Sequence, residues 1–256
     1  MGKAERHQAI IPDAGSSYAT SRHLRTFKTT RFMKYLSAVF LFLLLWGCST
    51  TKPTASKSSL YTSDQEWTVK VKDGWLTAKT LSFGLYSTTS RKNGVAEATF
   101  IKDPKNAFNF YLNGNEEHLL VQTMNTTAIV FSNRDLPSWL SGLAPATDLR
   151  YTLINGTKNE PLKRWEMILK SPHYLELNEN KPAGVLRSTD TDIRITANNR
   201  YGKVNSYENV CYEFQYRGQP VAAVIPGEKP RVWMSREVPV EISKTLSAAI
   251  AALLFG

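Results

Sequence analysis

The chain reads as a mainly β protein: an antiparallel β-barrel or sandwich built as a meander, with a C-terminal apolar helix buried in or across the barrel. Two observations predict this. Short stretches alternate apolar and polar residues and recur roughly every ten residues, several of them ending at turn pairs, three Asn-Gly and one Asp-Gly. The stretch 240–255 then breaks the habit: it holds good helix formers, no Gly or Pro, and from Leu246 onward no charge on any face. A helix that is apolar all round is buried all round. Its 16 residues are too few to cross a bilayer, which takes roughly 20.

The folded part starts near Gln65. Trp67–Lys72 alternates with period two and ends at Asp73-Gly74, a two-residue hairpin signal. The chain resumes at Trp75–Ala78 and continues through Leu81, Phe83 and Tyr86 to a turn at Lys92-Asn93-Gly94. A strand is expected over Val95–Ile101, stopped by Asp103-Pro104. Phe108–Leu112 runs into a turn at Asn113-Gly114, His118–Thr123 returns, and Thr127–Phe131 is a further short strand. Leu136–Gly142 reads as one helical turn within a connection. Leu149–Ile154 turns at Asn155-Gly156 and is answered by Leu162–Leu169, with Trp165, Met167 and Leu169 on one face. Tyr174–Leu177 and Gly184–Arg187 are short strands separated by Pro182. Asp192–Ala197 alternates, and Tyr207–Arg217 alternates over a longer span before Gly218 turns it into Val221–Ile225. Arg231–Met234 is the last strand before the helix at 240–255. No linker divides 65–256, so it is one domain.

Upstream of the domain the sequence carries an address. Met33 to Cys48 has a basic start at Lys34, an apolar run from Leu36 to Trp46, then Gly47 and Cys48. A run of that length suits a secretory signal, which needs about 7–15 apolar residues, and not a membrane span. Leu45-Trp46-Gly47-Cys48 resembles the lipobox of bacterial lipoproteins: Leu45 and Gly47 match the pattern, and Trp46 stands where a small or β-branched residue is usual. The resemblance implies that 33–47 is a signal peptide cut after Gly47, that the thiol of Cys48 takes a diacylglycerol, and that the new amine is acylated with a fatty acid such as palmitate. Two or three acyl chains exceed the single-chain limit at which anchoring is marginal. Ser49 in place of Asp favours the outer membrane, periplasmic face, in a cell with two membranes. Residues 1–32 are polar and without periodicity, and read as a start assigned too early or a leader outside the fold. Residues 48–64, mostly Ser, Thr, Lys and Pro, read as a flexible tether that packs against nothing.

Charge follows the same division. Of 32 basic and 22 acidic residues, seven and two precede Cys48, which leaves 25 against 20 and a net charge of +5. That suits a solvated surface near anionic lipid and, without tight clustering, gives no reason to expect nucleic acid. Of the two cysteines, acylation of Cys48 leaves Cys211 without an intramolecular partner, so the fold rests on its own core.

No set of residues specifies a reaction, and no cofactor is implied. His118 and His173 have no second ligand at metal spacing. Cys211 sits mid-strand with Glu213, Gln215 and Arg217 on its face, while Val210, Tyr212, Phe214 and Tyr216 form the other. Arg217 lies roughly 20 Å along the strand from Cys211, too far to activate a thiol, so a small buried residue is expected there. Asp190 and Asp192 offer two carboxylates in a loop, short of what a Ca²⁺ site needs. Asn125-Thr-Thr127 and Asn155-Gly-Thr157 match the glycosylation acceptor, a pattern common by chance.

The stretch Tyr212 to Ile225, followed by Val232-Trp233 and the apolar helix, resembles the end of the tubby-like barrel class, which includes the phospholipid scramblases and the plant LURP-one-related proteins. The resemblance implies a helix plugging an antiparallel barrel and a phospholipid among possible partners; it carries over no binding residues. The expected function is that of a membrane-anchored envelope lipoprotein acting as a non-enzymatic binding or structural module. The alternatives are a lipid- or amphiphile-binding module using the barrel mouth or a basic rim, and an enzyme with a site not visible in sequence. Its partners would be the membrane, through Cys48, and an envelope protein or lipid.

Overall fold

A computed structural model describes residues 59–74, 77–95, 104–114, 117–126, 135–141, 149–155, 164–172, 175–177, 181–202 and 208–256. The strands are β1 (Glu66–Trp67), β2 (Val69–Gly74), β3 (Thr77–Phe83), β4 (Tyr86–Thr88), β5 (Lys92–Asn93), β6 (Lys105–Gly114) and β7 (Glu117–Thr126). They continue as β8 (Leu149–Asn155), β9 (Trp165–Leu169), β10 (Pro182–Arg187), β11 (Asp192–Asn198), β12 (Cys211–Tyr216), β13 (Gln219–Ile225) and β14 (Arg231–Met234). All pair antiparallel in one sheet ordered β1-β14-β13-β12-β11-β10-β9-β8-β7-β6-β4-β3-β2, with β5 on β6. β1 and β2 are one extended run broken only at Thr68. Glu66 and Trp67 therefore pair with β14 at one end of the order, while Val69–Gly74 pairs with β3 at the other. The covalent chain joins the two edges, and the meander is a nearly closed barrel.

The helix, Val240–Leu254, occupies the interior. It touches the neighbouring strands β7 and β8 and, five strands away in the sheet order, β13. Every residue from Leu246 to Leu254 is at most 4% exposed, alanines included. Side chains such as Phe110, Val121, Met167, Ile195, Phe214 and Val224 surround it from the strands. The polar residues of its first turns are satisfied by the helix itself: Thr245 Oγ1 donates to Glu241 O at 3.1 Å and Ser247 Oγ to Ser243 O at 2.8 Å. Lys244 pairs with Glu241 at 2.8 Å. Such back-bonding lets a hydroxyl be buried without a partner from the barrel wall. Among the described residues no helix is long and apolar enough to cross a membrane.

Two patches of outward-facing apolar side chains are covered by short segments. Leu136, Trp139 and Leu140 lie over Met124, Tyr151 and Ile168, and include the expected helical turn, now Ser138–Ser141. Beneath them Arg187 Nε meets Glu166 Oε1 at 2.6 Å and Tyr151 donates to Glu166 Oε2 at 2.8 Å, so the buried carboxylate is fully engaged. The second cover is Leu60 and Tyr61, packed on Cys211, Ala223, Ile225 and Trp233 of β12–β14. This corrects only the end of the tether expected over 48–64; residues 48–58 lie outside the described residues. Ser59–Tyr61 is a 3-10 turn and Leu60 is 1% exposed, because the outer face of β12–β14 is apolar and needs a lid.

Turns differ from the expectation in one systematic way. Strands run through Asp73-Gly74 and Asn113-Gly114, and the reversals come two residues later, since Gly74 pairs with Thr77 and Gly114 with Glu117. Gly114 serves close approach instead: a Cβ there would lie 2.7 Å from the Leu85 carbonyl oxygen. Lys92 and Asn93, expected in a turn, pair with Asn109 and Phe108. Leu175–Leu177 forms no strand; Leu175 N donates to Pro172 O at 3.2 Å, and the chain turns there. Arg217 and Gly218 both have positive φ, +52° and +79°, which gives the β12–β13 hairpin the twist its strands require. The expected strand at Thr127–Phe131, and that at Val95–Ile101 beyond Val95, lie outside the described residues.

Candidate functional site

The site forms where the helix ends. The last carbonyls of a helix have no partner within it and carry about half a negative charge between them. Here each of the last five has a donor. Phe255 N reaches Ala251 O at 3.1 Å and Gly256 N reaches Leu253 O at 3.3 Å. The other three are taken by cations from different parts of the wall. Arg150 Nη2 donates to Ala252 O at 2.9 Å, Lys79 Nζ to Leu254 O at 3.0 Å, and Arg91 Nη1 to Phe255 O at 3.4 Å.

Register explains why Arg150 points inward. It pairs with Asn125 on β7 and Leu169 on β9, so the three side chains form one row on the inner face. Two residues on, Thr152 and Thr123 hydrogen bond at 3.0 Å on that same face. Beside the row, β6 carries a bulge between Lys105 and Phe108, with Asn106 at φ +50°. Such a bulge re-aims the strand's side chains, and asparagine tolerates the left-handed backbone it needs. Phe255 closes the end of the core, 4.7 Å from Phe110 and 6.3 Å from Phe108 between ring centroids, while the Arg91 guanidinium stands 4.7 Å over the Phe108 ring.

Between these groups lies a cleft of about 760 Å³. Arg91, Arg150 and the amides of Asn93, Asn106 and Asn125 give it polar walls; Phe108, Leu169 and Pro172 give it apolar ones. None of its described lining residues is Asp or Glu. Burial lowers the Arg150 guanidinium below its ordinary value, Tyr212 opposes that shift, and the like charge of Arg91 adds to it. Burial raises the Tyr212 phenol. Lys170 also lines the cleft, but its ammonium lies 5.4 Å from the Trp139 ring centroid. Chemically the arrangement offers fixed N–H donors and positive charge beside an apolar wall, the parts needed to hold and orient a ligand.

Of the residues singled out in the sequence, Asn125 of the glycosylation-type pattern and Tyr212 line this cleft, and none of the described His, Cys or Asp candidates does. Gly47, Cys48 and His173 lie outside the described residues. His118 is exposed, stacked on Tyr111 at 4.1 Å and hydrogen bonded to Asn113. Asp190 accepts from Ser188 Oγ at 2.8 Å and Thr191 Oγ1 at 3.3 Å within its loop, and Asp192 is exposed. Among the described residues no group of three or more His, Cys, Asp or Glu could hold a metal. Cys211 is fully buried on the outer face of β12, where burial pushes its thiol up to about 12. Tyr61 OH lies 3.8 Å from that thiol and donates to Glu213 Oε2 at 2.6 Å.

Sequence reasoning missed Arg91 and Arg150. One signal was present for Arg150: it shares parity with Thr152 and Ile154, while Leu149, Tyr151 and Leu153 take the other face, so a cation sits on a face of a buried strand. Compared with models of protein families, with curated proteins and with solved structures, the chain matches none.

Proposed function

We propose that this chain is a lipid-anchored protein of the bacterial cell envelope, and that its barrel is a non-enzymatic binding module taking an amphiphilic ligand in the cleft at the helix end. The cleft carries the reading. A half-open space with donors on one wall and Phe108, Leu169 and Pro172 on another suits a ligand with a polar head and an apolar body. The lipobox-like Leu45-Trp46-Gly47-Cys48 supports the anchor, and the likeness to tubby-like barrels agrees with a lipid partner. Ser59, where the described residues begin, lies eleven positions after Cys48. Fully extended, that stretch reaches about 36–40 Å, which keeps the cleft close to the bilayer surface and raises the effective concentration of any ligand held there.

Two measurements test the reading. Full-length protein made in a bacterium fed labelled palmitate should carry the label, and Cys48→Ala should not; a mature chain without lipid removes the anchor. Full-length protein mixed with a lipid extract of that envelope should hold one extra non-protein mass in native mass spectrometry. Absence of any bound species across a concentration series removes the binding module.

A further inference from the structure

We propose that the cleft selects ligands bearing a carboxylate or phosphate group, and that Arg150 is the residue that receives it. This rests on the reading of the cleft as a binding site and names the chemistry of what it binds.

The first argument is charge. Lys79, Arg91 and Arg150 converge on the helix end, whose last carbonyls supply roughly half a negative charge. No Asp or Glu side chain is among the described lining residues, and Gly256 lines the cleft against Arg150. Two of the three cations, Arg91 and Arg150, line it; Arg91 is exposed and Arg150 half-buried. A guanidinium partly withdrawn from water, as that of Arg150 is, is costly to keep unless paired. An anion entering the cleft supplies such a partner.

The second argument is donor supply. A guanidinium has five N–H groups in a planar fork that matches a carboxylate or phosphate. Among the described residues Arg150 spends its fork on one acceptor, Ala252 O. That bond fixes the guanidinium in place and leaves its other donors for a ligand. The neighbouring amides of Asn106 and Asn125 are neutral, so they add donors without repelling an anion. Lys79 stands 5.9 Å from the Phe255 ring and does not line the cleft, and the Lys170 ammonium leans on Trp139. Arg91 also lines the cleft with donors to spare but is exposed to water, so Arg150 is the more buried of the two cations with both position and unused donors.

The test is calorimetric titration of the full chain at pH 8 with five probes: decanoate, decyl phosphate, decyldimethylamine oxide, acetate and inorganic phosphate. A charge-assisted contact should make the two anionic amphiphiles bind about tenfold or more tightly than the neutral amine oxide. Arg150→Gln should abolish that preference, and Arg150→Lys should keep part of it. Inorganic phosphate binding with the same dependence on Arg150, and no gain from the alkyl chain, would uphold the anion site and assign it to a soluble anion. Equal affinity for decanoate and the amine oxide would mean that the cations are already neutralised within the chain; it would overturn this inference and leave the binding module standing. No binding of any probe would overturn both. Should Arg150→Gln fail to fold, the ratio of anionic to neutral affinity in the native chain decides alone, with Arg91→Gln as the second variant.

Discussion

A chain beginning at Gln65 should be markedly less stable than one beginning at Ser59. Such a truncation removes Leu60, whose side chain is 1% exposed against Cys211, Ala223, Ile225 and Trp233. Burial of one leucine is worth about 1.5–3 kcal/mol. It also removes Tyr61, which packs edge-on to Trp233 at 5.3 Å between centroids, a contact worth about 0.5–1.5 kcal/mol beyond area. Burial, with Cys211 and Glu213 nearby, raises the Tyr61 hydroxyl well above its ordinary value, so it stays protonated and donates. Its bond to the buried Glu213 carboxylate at 2.6 Å contributes about 1.5–3 kcal/mol. Together the loss is about 3.5–7.5 kcal/mol, a large share of a typical net stability of about 5–15 kcal/mol. At about 2–4 °C per kcal/mol for a domain of this size, the melting temperature should fall by at least about 7 °C. Thermal unfolding followed by circular dichroism on both chains measures it. Melting temperatures within about 2 °C of each other would show that the cover contributes nothing and that the tether extends to Gln65.

Ile250, fully buried at the middle of the helix, should cost about 2–5 kcal/mol as Ile250→Ala, and Ile250→Asp should fail to fold; a soluble Ile250→Asp monomer with an unchanged cooperative melt would refute the central helix. Cys211 should resist alkylation at pH 8 in the native state and react fully once unfolded, because its thiol is pushed up to about 12 by burial. The sign for stability follows: the folded thiol keeps its proton where the unfolded one loses it, so this group's contribution falls as pH rises above the ordinary thiol value of 9. Glu66 behaves oppositely. Its bidentate pair with Arg231, two contacts at 2.8 Å, holds its carboxyl below the ordinary value, so the pair stabilises at neutral pH and is lost as pH falls through that lowered value. Both side chains are about a third or more exposed, so the gain is about 0.2–1 kcal/mol, read as the acid-side difference between the native chain and Glu66→Gln.

What the sequence determined by itself was whatever depends on neighbours along the chain. Alternation in Asp192–Ala197 and Tyr207–Arg217 is local, and so is the unbroken apolar surface from Leu246 to Phe255; together they specify antiparallel strands around a buried helix. The parity of Cys211 against Tyr212 was legible for the same reason. Hairpin register was less so. Asn113-Gly114 and Asp73-Gly74 are sound turn signals, yet pairing of Leu112 with Leu119 across the inner face moved one reversal onward, and Gly114 was needed where Leu85 crosses close by. Only the tertiary structure decided that Leu60 and Tyr61 are a cover, since their partners lie about 150 positions away in β12–β14. The cleft is of this kind. Lys79, Arg91 and Arg150 are unremarkable cations in sequence, and each meets the helix end through contacts spanning 175, 164 and 102 positions. Strand order and register place them there, and neither is a property of any window of the chain. A basic site built by closing a barrel around a helix end therefore leaves almost no local trace, because what defines it is the convergence of distant side chains on the last carbonyls of that helix.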